Sequence, residues 1–293
     1  MHRLNFLYFF SSNGLSPVLN CDLHCHSTAS DGLLPADEVV RRAAANGVDR
    51  LALTDHDDLG GLLAARAAAD EVGMLFTNGV EISIEWEGLQ IHILGLAFNV
   101  DDAQLNTGLA TIRSGRLDRA QRMSADLEKI GVCNAFAGAM HFAKNPSLIS
   151  RAHFARYLVA SGVCKDVRSV FESYLVPGRP GYVDHRWATL ADSIGWVCGA
   201  GGIAAVAHPG RYKLSNRDMR RFLAEFKDLG GQAIEVMSGS HSQENVGTFA
   251  RLANEYGFLA SRGSDFHGPG ESYVDLGKLP PLPDGLKPVW ELF

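Results

Sequence analysis

The sequence predicts an α/β fold, a barrel-like domain interrupted by a helical insertion. Helix and strand signals alternate from residue 21 to about 100, helical signals dominate to 184, and alternation then resumes. Strands alternating with helices build a largely parallel sheet with helices on its faces. The third observation is chemical. Short polar motifs recur at the ends of predicted strands, the rim where such barrels collect ligands and catalytic groups.

The elements follow in order. Val39, Val40, Ala43 and Ala44 put one apolar face on a helix from Pro35 to Asn46, which stops at Asn46-Gly47. Leu51-Ala52-Leu53 is a short apolar run, as in a buried parallel strand. Gly60 to Val72 is alanine-rich and helical, and Val80 to Leu96 reads as two strands around a Glu87-Gly88 turn. Leu105, Leu109, Ile112, Met123, Leu127 and Ile130 follow the spacing of one long amphipathic helix. Arg151 to Ala160 and Val167 to Leu175 give two more helices, and the Pro177 to Gly181 cluster ends the region. Beyond it come helix Leu190 to Cys198, strand Ile203 to Ala207, helix Asp218 to Leu229, strand Ala233 to Met237, helix Asn245 to Tyr256 and strand Phe258 to Ser261. The predicted units are a non-catalytic extension (1–20), a discontinuous barrel (21–100 and 185–293) and a helical insertion (101–184).

A formal net charge of -6 argues against a general nucleic-acid or anionic-membrane binder, though not against a small anionic ligand. The five cysteines lack CxxC spacing, so a disulfide scaffold or thiolate zinc site is not expected and a reducing cytoplasm is. The apolar patch Leu4 to Phe10 is too short to span a bilayer and poor as an export signal.

Six of the eleven histidines fall in these short motifs, five of them at strand ends and His92 within a strand. His24 and His26 stand two apart, so on an extended segment their imidazoles share a face, the usual opening of a divalent-metal site. With them go Asp31, the Thr54-Asp55-His56-Asp57 run, Glu81, His92, His208, Asp265 and His267. Mixed carboxylate and imidazole donors suit manganese, iron or zinc better than an all-oxygen cage. Asp22, Asp55 and Asp57 are candidates either to orient imidazole N–H groups or to cap turns and helices.

The series Asp22-Leu23-His24-Cys25-His26-Ser27, Ser30-Asp31-Gly32, Leu53-Thr54-Asp55-His56-Asp57, Asn78-Gly79-Val80-Glu81, His92-Ile93-Leu94-Gly95, Ala207-His208-Pro209-Gly210-Arg211 and Gly263-Ser264-Asp265-Phe266-His267 resembles the polymerase and histidinol phosphatase (PHP) family of metal-dependent phosphoesterases. The helical segment and Ile149 to Arg156 resemble its branch of 3',5'-nucleoside bisphosphate phosphatases, which also contains enzymes that trim RNA 5' ends. The resemblance implies a distorted (β/α)7 barrel and a trinuclear centre, commonly of Mn2+ with Fe or Zn as alternatives. It implies that His24, His26, Glu81 and Asp265 hold one metal, that Glu81 bridges to a second held by His92 and His208, and that Asp31, His56 and His267 bind a third.

Substrate choice is expected from the insertion. Arg116 interrupts the apolar line of the long helix and Arg119 lies one turn on. A guanidinium on an inward-facing stripe wants an anion, and Arg matches phosphate bidentately. The alternative is a snorkelling, solvated arginine, for which Arg113 and Arg122 are the clearer cases. Arg151 and Ala152 begin a helix whose N-terminus suits an anion. Asp31 and His241 are further substrate-binding candidates, Arg179 and Arg211 are weaker ones, and a metal-bound water, Asp265 or His241 could protonate the leaving group. His141, His153 and His185 lack ligand spacing; Trp86, Trp187 and Trp196 are read as core, and Gly199 to Gly202 as a helix-to-strand turn.

The expected function is removal of the 3'-phosphate from a nucleoside 3',5'-bisphosphate. The alternatives are a 5'-to-3' exoribonuclease on short 5'-phosphorylated RNA, or another phosphomonoesterase such as a histidinol phosphatase. A metal module without turnover would be expected to lack ligands, and here the whole set is present. C–N hydrolysis on a related barrel usually needs a strand lysine, and no Lys precedes Ile112. No protein partner is legible.

Overall fold

The computed structural model describes residues 19–293, so the expected N-terminal extension lies almost wholly outside the described residues. Eight strands form one sheet: β1 (Cys21–Asp22), β2 (Arg50–Leu53), β3 (Leu75–Trp86), β4 (Leu89–Leu96), β5 (Ala188–Thr189), β6 (Ile203–Val206), β7 (Ala233–Ser238) and β8 (Leu259–Gly263). Their order is β1-β2-β3-β4-β6-β7-β8, with the short β5 alongside β3. The ends of that path meet: Leu23 N–H donates to Arg262 O at 2.9 Å and Asp265 N–H to His24 O at 2.8 Å. The sheet is therefore a nearly closed barrel. Its distortion is local to β4, which runs antiparallel to both β3 and β6.

The helices are α1 (Ala36–Ala45), α2 (Leu62–Val72), α3 (Ala103–Ser114), α4 (Arg116–Glu128), α5 (Ala135–Phe142), α6 (Arg151–Ala160), α7 (Val167–Val170), α8 (Leu190–Gly199), α9 (Asn216–Asp228) and α10 (Gln243–Tyr256). The chain widens to a π-type turn over Phe171–Leu175 directly after α7. Ile82, Ile84, Ile91, Ile93, Val206 and Ile234 have no exposed surface and form the barrel core with the apolar faces of α1, α2, α8, α9 and α10. The buried face of α3 joins that core, whereas α4 to α7 enclose a second one around Leu127, Phe154, Leu158 and Leu175.

The expected long helix from Leu105 to Ile130 is two helices. It breaks at Gly115, where a Cβ would come within 2.7 Å of the His185 ring, and that ring bonds Ile112 O at 2.9 Å. Past the break Met123 and Leu127 turn into the second core instead of the barrel core, and Ile130 falls beyond the helix, 47% exposed. No helix among the described residues is long and apolar enough to cross a membrane.

Candidate metal centre

Every donor picked out by the sequence motifs reaches one mouth of the barrel. His24 and His26 follow β1, His56 follows β2, Glu81 lies in β3, His92 in β4, His208 follows β6, and Asp265 and His267 follow β8. Glu81 is the hub. One of its oxygens lies 2.8 Å from His92 Nδ1 and 2.9 Å from His208 Nε2. The other lies 3.0 Å from His56 Nδ1 and 3.3 Å from both His24 Nε2 and His26 Nε2. Asp265 Oδ1 stands 3.3 Å from His26 Nε2, and Asp31 Oδ1 stands 3.5 Å from His267 Nε2.

The donors fall into four overlapping sets with mutual separations within 4.8 Å: His26, Asp31, His56 and His267; His24, Glu81 and His208; His24, His26 and Asp265; and His56, Glu81 and His92. The overlap runs through His24, His26, His56 and Glu81, more shared than the partition implied by the family resemblance. His24 Nε2, His26 Nε2, His56 Nδ1, Asp31 Oδ1, Glu81 Oε2 and Asp265 Oδ1 are buried and lack a hydrogen-bond partner. A buried orphan costs about 1–3 kcal/mol, so converging orphans want a common partner, and a cation satisfies lone pairs of both kinds. The residues fit divalent metals.

Charge within the cluster is strongly coupled. Burial pushes the Glu81 and Asp265 carboxyls up, but the surrounding imidazoles overcome it and hold both well below the usual range. Burial opposes a charged His26, yet the Asp265 and Glu81 carboxylates facing its Nε2 at 3.3 Å raise it to about 10. Burial instead takes His56 and His208 down to about 3.

The motif aspartates resolve to a single role. Asp22 accepts from Ser264 N–H at 2.8 Å and Gly277 N–H at 2.9 Å, tying β1 to the end of β8. Asp55 takes the Ser27 N–H and the Ser27 and Ser30 hydroxyls, folding the loop that presents Asp31. Asp57 takes Ser83 N–H at 2.7 Å and pairs with Arg116. None of them touches an imidazole nitrogen.

A cavity of about 900 Å³ is lined both by donors of the cluster and by a wall of arginines. Arg116 and Arg119 are each 4% exposed, and their guanidiniums lie 5.1 and 5.4 Å from the Trp187 ring. Arg119 Nε donates to Val183 O and Arg151 Nη2 to Gln90 Oε1, both at 2.8 Å. Burial, and after it the neighbouring Arg151 and Arg116, push Arg119 down to about 9, and among the described residues no carboxylate bonds Arg119 or Arg151. Ser150 caps α6 by accepting from Ala152 N–H and donates from the same hydroxyl to Asp31 Oδ2 at 3.1 Å. It thereby joins the start of α6, where Arg151 and Ala152 line the cavity, to a donor of the cluster.

Three substrate-binding expectations come out differently, the first being Arg116, whose guanidinium pairs with the buried Asp57 carboxylate. Arg179 is exposed and does not line the cavity. His241 does line it, but both ring nitrogens are engaged by main chain, Nδ1 with Val236 O at 3.0 Å and Nε2 with Gly210 N–H at 3.1 Å, which leaves no free nitrogen for a leaving group. Trp187 packs against the barrel core as expected and also lines the cavity beside the arginines. Trp86 and Trp196 do pack in the core, and Gly201 with φ 76° makes the expected turn between α8 and β6. Arg211, following His208, donates to Asp265 Oδ2 at 2.7 Å. Glu235 escaped sequence reasoning altogether, although a lone carboxylate in the apolar run Ala233 to Met237 was a usable signal.

Comparison with known proteins agrees with this geometry. The PHP domain profile matches residues 22–238. The chain is 51% identical to a 3',5'-nucleoside bisphosphate phosphatase of Chromobacterium violaceum, over 93% of this chain and 96% of that one. It is 42% identical to a 5'-3' exoribonuclease of Haemophilus influenzae, over 93% and 98%. A solved Chromobacterium violaceum structure, described as an amidohydrolase with bound sulfate and no metal, superposes with a TM-score of 0.91 at 50% identity, covering 93% of this chain and 95% of that one.

Proposed function

The chain belongs to the PHP-domain family, and we propose from that premise that it hydrolyses the 3'-phosphate of nucleoside 3',5'-bisphosphates, giving nucleoside 5'-monophosphate and phosphate. The single observation that carries this reading is that two charge clusters of opposite need line one cavity. Orphaned carboxylate and imidazole atoms make up one, and arginines of which Arg119 and Arg151 bond no carboxylate among the described residues make up the other. A substrate with phosphates at two separate positions can meet both.

In this reading His24, His26, Asp31, His56, Glu81, His92, His208, Asp265 and His267 hold divalent metal, three Mn2+ in our proposal, with Fe or Zn as alternatives. Such ions acidify water, neutralise phosphoryl oxygens and stabilise charge on the leaving oxygen. The chain's own groups do the rest. Arg119 and Arg151, with free N–H groups beyond their main-chain and Gln90 bonds, grip the distal 5'-phosphate. The N-terminus of α6 adds its dipole at Ala152. Arg116 is held by Asp57, so its part is to fix Trp187 and the start of α4 and to raise the local positive potential. Asp31, tethered through Ser150 to α6, keeps the two clusters in register, and Arg211 holds the orientation of Asp265. We place the enzyme in the cytoplasm, with a nucleotide or short RNA as its partner.

The test is phosphate release by the Mn2+-loaded protein from adenosine 3',5'-bisphosphate, histidinol phosphate, a 5'-phosphorylated dinucleotide and an aryl phosphate. The bisphosphate should give the highest kcat/KM. A preference for histidinol phosphate would overturn the role given to the arginines. A preference for the dinucleotide would favour exoribonuclease activity, the activity named for the 42% identical relative.

A further inference from the structure

The carboxylate that orients the histidines comes from β7, outside the sequence motifs. Glu235 has no exposed surface. Its Oε1 lies 3.0 Å from His24 Nδ1, and its Oε2 accepts the backbone N–H of His208 at 2.5 Å. One side chain thus holds two residues of the metal cluster, one by its ring and the other by its main chain.

Both contacts have physical consequences. A carboxylate facing Nδ1 places the ring proton there and turns Nε2 toward the site. His24 Nε2 is the buried, partnerless atom that faces Glu81 and Asp265. His208 has φ 26° and ψ 57° and precedes Pro209. A non-glycine residue in that region costs on the order of 1–3 kcal/mol and persists only where its surroundings impose it. The Glu235 bond to its N–H is such an imposition, and it aims the His208 ring at Glu81, 2.9 Å away.

The surrounding chain is shaped to admit this carboxylate. The β7–β8 register slips between Glu235 and Met237, an irregularity of the kind that re-aims a side chain beside an active site. On β8, Gly263 faces the pair: a Cβ there would lie 2.2 Å from His24 Cβ and 2.8 Å from Glu235 Oε1. Only a residue without a side chain lets Glu235 and His24 meet.

We propose that Glu235 is a positioning residue that sets the His24 ring and the His208 main chain before metal arrives, so that both donors are preorganised for a divalent cation. The inference rests on the metal-dependent reading of the site, and its test is separable from the choice of substrate. Glu235→Gln keeps the shape but offers one acceptor where two donors need it. Metal-stripped Glu235→Gln should retain the wild-type circular dichroism spectrum yet bind Mn2+ about 10–100-fold more weakly by calorimetry. Its kcat should fall while KM for the bisphosphate stays within about twofold, the pattern of a lost transition-state contribution. Glu235→Asp, too short to span both partners, should show the same loss.

Wild-type Mn2+ affinity and stoichiometry in either folded variant overturns the proposal. A measurement on the unaltered protein guards against variants that do not fold. The His208 amide of metal-free wild type should resist hydrogen exchange, and an amide that exchanges freely overturns the proposal too. If Glu235→Gln loses metal while the wild type ignores bisphosphate, the substrate reading fails and the role of Glu235 stands. If the wild type cleaves bisphosphate and Glu235→Gln binds metal normally, only the role of Glu235 fails.

Discussion

The barrel rim and the helical wall that lines the same cavity are both dense in buried charge, yet they leave opposite demands unmet. On the rim, imidazole and carboxylate atoms converge on one another with lone pairs to spare. On the wall, Arg116, Arg119 and Arg151 crowd together, and among the described residues Asp57 is the one carboxylate bonded to any of them. One side asks for cations and the other for an anion. A phosphate ester carrying a second phosphate is a bridge between the two, and the contrast predicts that damage to each side will look different.

The largest effect belongs to the rim. His26→Ala or Asp265→Ala should lower turnover of every phosphate ester by roughly three orders of magnitude or more, since several kcal/mol of charge stabilisation go with the metal. Turnover retained by either variant on any substrate in the panel would sink the assignment. The same logic gives a thermal test. Mn2+ added to stripped protein should raise its melting temperature and chelator should reverse the rise, because an ion that binds only the folded state stabilises it.

Arg116 comes next, and its signature should be stability as well as specificity. It pairs with Asp57, which is fully buried, so Arg116→Ala strands a carboxylate that only Ser83 N–H still serves. Breaking a buried pair from one side costs about 3–5 kcal/mol. Urea denaturation should therefore place Arg116→Ala well below Arg119→Ala. Equal midpoints would mean that the Asp57 pair does not hold the wall to the barrel.

Arg119→Ala and Arg151→Ala should separate substrates instead. Each removes charge-assisted bonds to an anion worth roughly 1.5–3 kcal/mol, or about 10–100-fold in kcat/KM for the bisphosphate. The aryl phosphate, which has no second phosphate to reach the wall, should change little. Parallel losses on both substrates would break the division of labour between rim and wall.

That division also explains what was legible in the sequence. The rim could be read because its donors sit in short runs at strand ends, where His24 and His26, or Asp265 and His267, announce themselves by spacing. The main strands and helices were legible for a similar reason, apolar periodicity being a local signal. The wall depends on pairings across the chain. Asp57 and Arg116 are 59 residues apart, and the break at Gly115 that brings Arg116 to the head of a helix comes from His185, a residue of another segment. Glu235 was missed for the converse reason: it is 211 residues from His24 and lies in a strand whose other residues read as core.

Trp187 gives the smallest and most discriminating test. Its ring underlies both Arg116 and Arg119, and a guanidinium over an aromatic face gains about 0.5–2 kcal/mol, more when desolvated. Trp187→Leu keeps an apolar filler but removes that face, so bisphosphate kcat/KM should fall about 2–30-fold. The aryl phosphate rate should hold, because Trp187 makes no contact with the metal cluster's donor atoms. Since Trp86 and Trp196 pack in the core while Trp187 lines the cavity, bisphosphate binding should also change tryptophan fluorescence in the wild type and not in Trp187→Leu. A fluorescence response that survives the substitution would put the second phosphate somewhere other than over this ring, and the wall would lose its claim to set substrate choice.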